Sequence, residues 1–261
     1  MKAIIKAIIA GSVIIGIGLV VLIVALALNG WKFMPQFDMT QYSSEEEISE
    51  LRIYNSVGSV RTEFYDGDKV VVDYPVSDRY TMTVEEREGV LTVNGLNKNH
   101  WYNFTFLPSS LPQTIVKIPH GVVLKLAITV NAGKVDLAAG EYAESSVTVN
   151  AGGLSALGMT CPALKCEVNA GSVWIRSIES ASFDCRVKAG SFSAERIGCP
   201  QIKVNVSAGS AGMTVSGKRE EYTIFADKNA GSCNVANQTG TDPSKKIDID
   251  VSAGSVNLSF V

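Results

Sequence analysis

The sequence predicts an all-β protein: a parallel β-solenoid, or β-helix, of ~19-residue coils, preceded by one N-terminal transmembrane α-helix. Three observations predict this. Near-copies of one short motif (NAGKV, NAGGL, NAGSV, KAGSF, SAGSA, NAGSC and SAGSV) begin at Asn131, Asn150, Asn169, Lys188, Ser207, Asn229 and Ser252. The first four steps between them are 19 residues, and the last two are 22 and 23. Apolar residues alternate on either side of each motif, and a single long uncharged apolar run opens the chain. A period near 20 marks units that cannot bury their own apolar face and must stack on neighbours.

The opening run, Ala7 to Leu28, is 22 residues without a charge. At about 1.5 Å per helical residue it spans the roughly 30 Å bilayer core. Lys2 and Lys6 precede it, whereas Lys32, Asp38 and Glu45-Glu46-Glu47 follow. The positive-inside bias then places the N-terminus in the cytoplasm and the rest outside, as a single-pass protein of the cell membrane. Ala25-Leu26-Ala27 has the form of a signal-peptidase site, so cleavage after Ala27 stays open. The apolar core is nevertheless longer than that of a secretory signal, and residues 1–29 read as an uncleaved signal anchor held in the membrane through 7–28. Ser12 and Gly16 form a small-xxx-small pair within it.

Residues 30–48, with Pro35 and a run of acids, read as a stalk. Residues 49–261 read as the solenoid. Within it, 49–123 is strand-like but irregular, the opening coils and a cap; Ser56-Val57-Gly58-Ser59-Val60 is a degenerate first corner, and Asp66-Gly67 and Asn94-Gly95 are turn signals. Residues 124–261 hold the regular repeats. Upstream of each motif, inward residues alternate: Leu126-Ile128-Val130, Leu164-Cys166-Val168, Phe183-Cys185-Val187, Ile202-Val204-Val206 and Ile247-Ile249-Val251. Downstream come pairs such as Val135/Leu137, Val173/Ile175 and Val256/Leu258. Alternation with period two is a strand with one buried face, so each coil reads as strand, tight corner, strand. Gly133, Gly152, Gly171, Gly190, Gly209, Gly231 and Gly254 recur at the corner, where a positive φ is expected. Cys161-Pro162 and Cys199-Pro200 hint at a second corner.

Strands of successive coils are expected to pair in parallel and in register, about 4.8 Å apart, with right-handed winding as the default. The longer last steps fit loops near 217–221 and 240–245. Lys228 breaks the inward pattern. The final Leu258-Ser259-Phe260-Val261 ends one strand past the last corner, so an open edge able to self-associate is expected there. The alternative is that residues 240–246 fold over that end.

Composition narrows function. Setting aside Lys2 and Lys6, 21 basic residues face 26 acidic ones, a net charge of −5 outside the membrane. Without a basic stripe, nucleic acid is not an expected partner. His100 and His120 stand in no metal-ligand spacing, and no nucleophile elbow, Walker loop or dinucleotide fingerprint occurs. Outward positions after the corners (Asp136, Ser155, Trp174, Ser193, Gly212, Asn234, Asn257) offer little acid/base material. No metal, cofactor or catalytic residue is expected, and the chain reads as non-enzymatic. Of five cysteines, Cys166 and Cys185 share one register on adjacent coils, as apolar core filler or as a bridged pair. The candidate contact residues are Trp101, Trp174 and the corner ladder Asn131, Asn150 and Asn169.

These features together (a membrane helix, an acidic stalk, the Gly58-Ser59-Val60 corner, the segment His100 to Phe106 and tandem N-A-G-S-V corners) resemble the bacterial "putative adhesin" family, a domain of unknown function. The resemblance covers residues 49–261. It implies a β-solenoid and binding to cell-wall or surface polymer, or, as in some members, a sensory module of envelope-stress signalling that contacts another membrane protein. It implies no catalytic residues.

Overall fold

The computed structural model describes residues 2–28, 36–77, 80–98 and 112–261. The described residues form one α-helix, Lys2–Leu28, a short 3-10 turn, Arg219–Glu221, and twenty strands joined in a single mixed sheet. The helix is long and apolar enough to cross a membrane. From Gly11 to Leu28 its side chains are open rather than packed on the strands, with Ile14 70% and Leu28 73% exposed.

The repeat forms stacked layers with three strand segments each. The strand Ser172–Val187 shows why. Val173, Ile175, Ile178, Ser180, Phe183, Cys185 and Val187 are buried, and the alternation slips at Arg176-Ser177 and at Ala181-Ser182. At each slip the chain bends, so one run contributes to three faces. The segment from Ile178 to Ser180, equivalent to Met159–Cys161, is a third face that strand–corner–strand patterning did not anticipate. Cys161-Pro162 and Cys199-Pro200 sit at its far corner.

Pairing between layers is parallel and in register across a 19-residue offset: Val147 faces Cys166, Cys166 faces Cys185, and Cys185 faces Val204. The interior is columns of like residues rather than a single globular centre. One column runs Val93, Ile53, Ile128, Val147, Cys166, Cys185, Val204, Ile249 and Ala226.

That column departs from chain order at both ends. Gln201–Val206 pairs not with Thr223–Lys228 but with Lys246–Val251, on whose far side Thr223–Lys228 lies. The last repeat is therefore inserted beneath the one before it in sequence. Likewise Glu50–Asn55 lies between Leu124–Val130 and the later strand Val90–Lys98. The 22- and 23-residue steps are the lengths needed to leave the stack and return. Lys228 interrupts the inward pattern because it belongs to an end layer.

The edge expected open at Leu258–Val261 is covered as far as Leu258. Ser255–Phe260 pairs with Ser210–Val215 on one side and Ser232–Cys233 on the other. Beyond Cys233 a side chain continues the pairing: Asn234 Oδ1 accepts from Leu258 N–H at 2.8 Å, and Asn234 Nδ2 donates to Leu258 O at 2.9 Å and Asn257 Oδ1 at 2.7 Å. The outer strand Thr223–Lys228 is covered in turn. Ile224 exchanges both backbone bonds with Gln238, and Ala226 N–H donates to Asn237 Oδ1. Residues 234–245 thus close this end, which blunts an edge that would otherwise template association.

The other end is closed by antiparallel strands. Tyr80–Arg87 covers Val90–Lys98, and Val71–Val76 covers Thr114–Pro119. Asp38–Ser43 in turn pairs with Val71–Val76. The stretch expected as stalk over 30–48 therefore contributes an edge strand, with Ser44 and Ile48 buried behind it. Thr40 and Tyr42 alternate with exposed neighbours, a half-buried strand pattern hidden within polar composition.

The corner glycines keep their place for a different reason than expected. Among described glycines, positive φ occurs at Gly58, Gly89, Gly121 and Gly217, none of them in the seven motifs. A Cβ on Gly171 would instead lie 2.2 Å from Gly152 O and 2.5 Å from Val149 Cγ1, and one on Gly190 2.2 Å from Gly171 O. The corners stack backbone on backbone, and a side chain has no room between them. Gly58, in the degenerate corner, does take the left-handed conformation, at φ 87°.

Candidate functional site

The repeat places outward side chains in register, so each outward position becomes a ladder along the stack. At the corner, Asn150 Nδ2 donates to Asn131 Oδ1 and Asn169 Nδ2 to Asn150 Oδ1, each at 2.7 Å. The amides satisfy one another. The ladder stops at Asn169, because the next layer offers Lys188, whose ammonium turns to Glu167 at 2.7 Å. Among the described residues, Asn169 Oδ1 is left buried without a partner.

Trp174 lies past the same corner, between buried Val173 and Ile175, and is half-buried. The Arg176 guanidinium rests 5.7 Å from its ring centroid. The Asn ladder and Trp174 are thus neighbours around one edge of the stack. Trp101, the other aromatic candidate, lies outside the described residues, as does His100. His120 stacks on Phe64 with centroids 5.9 Å apart and approaches Asp66 at 3.9 Å. Among the described residues, no group of three or more His, Cys, Asp or Glu is placed to hold a metal ion.

The cysteines fill core positions. Cys161, Cys166, Cys185 and Cys199 are buried free thiols. Burial, reinforced by the hydrogen bond and charge of Cys166, holds the Cys185 thiol well above its ordinary pKa. Burial likewise pushes Cys199 up to about 11. Both are protonated at neutral pH and poor nucleophiles.

A groove missed by patterning lies on the face built by the strands just upstream of the corners. Its volume is about 480 Å³, and it crosses successive layers between a rim that includes Glu144, Ala163, Ser182 and Gln201 and an outward ladder of Ser146, Lys165, Asp184, Lys203 and Asp248. Register aligns this ladder: Ser146 faces Lys165, Lys165 faces Asp184, Asp184 faces Lys203, and Lys203 faces Asp248. Leu164, Phe183 and Ile202 form its floor. The signal was present in the sequence, since these residues sit four positions before each motif, next to inward positions already read as core. It was passed over because outward residues are informative only once the layer order is known, and Asp248 joins Lys203 only through the inversion.

Residues 48–260 match the Toastrack DUF4097 family, and the chain belongs to that family. Comparison with curated proteins finds no match. Among solved structures, the chain is similar to a "putative adhesin" from Parabacteroides merdae, at 10% identity and a TM-score of 0.50 over 85% of this chain and 96% of that one. It is also similar to a putative adhesin from Parabacteroides distasonis (12% identity, TM-score 0.48, 85% and 97% covered). A third, from Bacteroides fragilis, gives 11% identity and a TM-score of 0.47, with 88% and 100% covered. At such identities the likeness concerns the fold alone.

Proposed function

We propose that the stacked layers constitute a parallel β-solenoid, held on the outer side of the cell membrane by the helix Lys2–Leu28, and that it is a non-enzymatic adhesin or envelope-binding protein. The observation that carries this reading is the in-register array of outward side chains. A rigid stack repeats the same chemical position at one-strand intervals of about 4.8 Å, which suits a linear, repetitive ligand such as a cell-wall or surface polymer. Several of its charged groups pair along strands, Lys134–Asp136, Arg186–Asp184 and Lys246–Asp248, rather than converging as an acid and a base on one reacting centre. Full-length protein in lipid vesicles should sediment with isolated cell walls or intact cells, whereas vesicles carrying only residues 1–35 should not. Equal sedimentation of the two would remove the reading.

A second reading, a sensory or regulatory module that contacts another membrane protein, is supported by the attachment of the cap. Leu28 and Asp38 are separated by so few residues that the strand Asp38–Ser43 lies within about 35 Å of the helix end. The closed end nearest the anchor is then within reach of neighbouring membrane proteins. Photocrosslinking probes at Gln41, Trp101 and Asn169 in living cells separate the two readings. One discrete protein adduct at Gln41 or Trp101 supports the regulatory module, and heterogeneous polymer at Asn169 supports the adhesin.

A further inference from the structure

We infer that the groove upstream of the corners binds an acidic linear glycan, one carrying a carboxylate on alternate sugars, with Lys165 and Lys203 as its two anion contacts. This rests on the polymer-binding reading above and assigns it a site and a ligand chemistry. The argument is about which charges are already spent. Asp184 faces both lysines across the layers, yet its Oδ2 is engaged within its own strand by Arg186 at 3.4 Å. Asp248 is engaged in the same way by Lys246 at 2.8 Å. Lys165 and Lys203 are exposed, and among the described residues neither forms an ion pair. The carboxylates are neutralised along the strands, and the ammonium groups are left free across them.

The geometry sets the spacing of the ligand. Lys165 and Lys203 are two layers apart on one ladder, roughly 10 Å at twice the ordinary strand spacing. Two cations at that interval, in a trough running along the stack, fit anionic groups separated by an intervening neutral unit. They do not fit a chain charged at every unit, because Asp184 occupies the intermediate place. Asp184, half-buried at that intermediate place, presents a carboxylate rather than a cation to the intervening unit. Glu144 on the rim is a further acid and marks the end of the trough at which an anion is unwelcome. The surrounding protein is net acidic, so the two lysines are a local exception rather than part of a general basic surface.

The test is calorimetric titration of the full-length protein in detergent micelles with three oligosaccharide probes of matched length. These are hyaluronan (a carboxylate on alternate sugars), oligogalacturonate (a carboxylate on every sugar) and chitin fragments (none). Hyaluronan should bind tightest, with an affinity that falls as salt rises. Each of Lys165→Gln and Lys203→Gln should weaken it about tenfold, the worth of one charge-assisted hydrogen bond. Lys165→Arg should restore most of the loss. Both lysines are exposed, and an unchanged melting temperature of the Gln variants confirms that the fold is kept. Absence of hyaluronan binding, chitin binding as tight as hyaluronan, or affinity indifferent to the double Gln variant would each overturn the inference. Wall sedimentation distinguishes the two failures: if vesicles bearing the double variant still sediment with walls, polymer binding stands and the groove is not its site.

Discussion

The inner layers and the two ends of the stack solve one problem by different means. From Leu124 to Val215 each layer is held by the layer beneath it, through like residues in register and glycine corners in contact. At the ends there is no next layer, and antiparallel strands, a returning loop and single side chains stand in for one. Asn234 presents its amide to Leu258 as a strand would, Gln238 returns to pair with Ile224, and Glu86 gathers the backbone N–H groups of Glu45 and Glu46 together with the Tyr42 hydroxyl. Repetition stabilises the middle; individual hydrogen bonds finish the ends. The middle should therefore be sensitive to added volume, and the ends to lost polar atoms.

The largest effect is expected at an inner corner. Gly171→Ala places a methyl group against the Gly152 carbonyl and should cost about 3 kcal/mol or more, because backbone rather than a flexible side chain must yield. Gly171→Asn discriminates between the two explanations of these glycines. Asparagine tolerates a left-handed backbone, so a φ-based corner would accept it, whereas a stacked corner rejects it as it rejects alanine. Gly212→Ala is the control on the same stack. No atom lies within 4 Å of its would-be Cβ, and the change should be neutral or stabilise by a few tenths of a kcal/mol. Thermal or denaturant unfolding of the three variants measures the contrast.

The same division decides what was legible in the sequence. The inner layers were readable because their determinants repeat: Val147, Cys166, Cys185 and Val204 announce one inward position, and seven motifs announce one corner. The ends were not, because their determinants occur once. Only the faint alternation of Thr40 and Tyr42 marks Asp38–Ser43 as a strand, and its antiparallel partner Val71–Val76 is distant in sequence. The inversion of layer order was hidden for a related reason. Ile247-Ile249-Val251 and Ile202-Val204-Val206 match each other better than either matches Ile224, Ala226 and Lys228, but reading adjacency from chain order concealed the match. The groove inherits this blindness, since Asp248 enters it only through the inversion, while Lys165 and Lys203 were visible at fixed offsets from their motifs.

At the C-terminal end, Asn234→Ala should cost about 1–2 kcal/mol by stripping the hydrogen bonds that satisfy Leu258 and Asn257. It also exposes the edge of Ser255–Phe260, so the variant should show concentration-dependent association in light scattering at temperatures where the parent stays monodisperse. Unchanged stability would mean that the side chain is not a structural rung.

A smaller gain is available within the stack. Lys188→Asn should extend the corner ladder by one rung, because its amide would donate to the orphaned Asn169 Oδ1 as Asn169 donates to Asn150. Satisfying that acceptor should stabilise by about 0.5–1 kcal/mol. The Lys188–Glu167 pair lost in exchange is exposed and contributes little. An unfolding midpoint at or below the parent's would show that water already satisfies Asn169.

The smallest effect separates the ends from the middle by pH. Burial opposes ionisation of Glu86, but the N–H groups of Glu46 and Glu45 and the Tyr42 hydroxyl hold its carboxyl below the ordinary value. Tyr42 is pushed up to about 12, by burial first and then by Glu86. The Lys117 ammonium, 2.7 Å away, and Gln41 hold Asp73 below its ordinary value as well. Both folded-state carboxylates are depressed, so their contribution is fully present above the unfolded-state values near pH 4 and is lost as pH falls through the folded ones. Both groups fasten the segment 38–46 to the cap, and both are half-buried at its surface, where solvent and salt still screen them and keep the effect modest. Hydrogen exchange at pH 3 against pH 6, corrected for intrinsic rates, should show lost protection over residues 38–49 while 145–206 stays protected. Glu86→Gln should flatten that pH dependence. If the inner layers lose protection in step with the cap, the end is not an independently held unit and the contrast between repetition and single contacts fails.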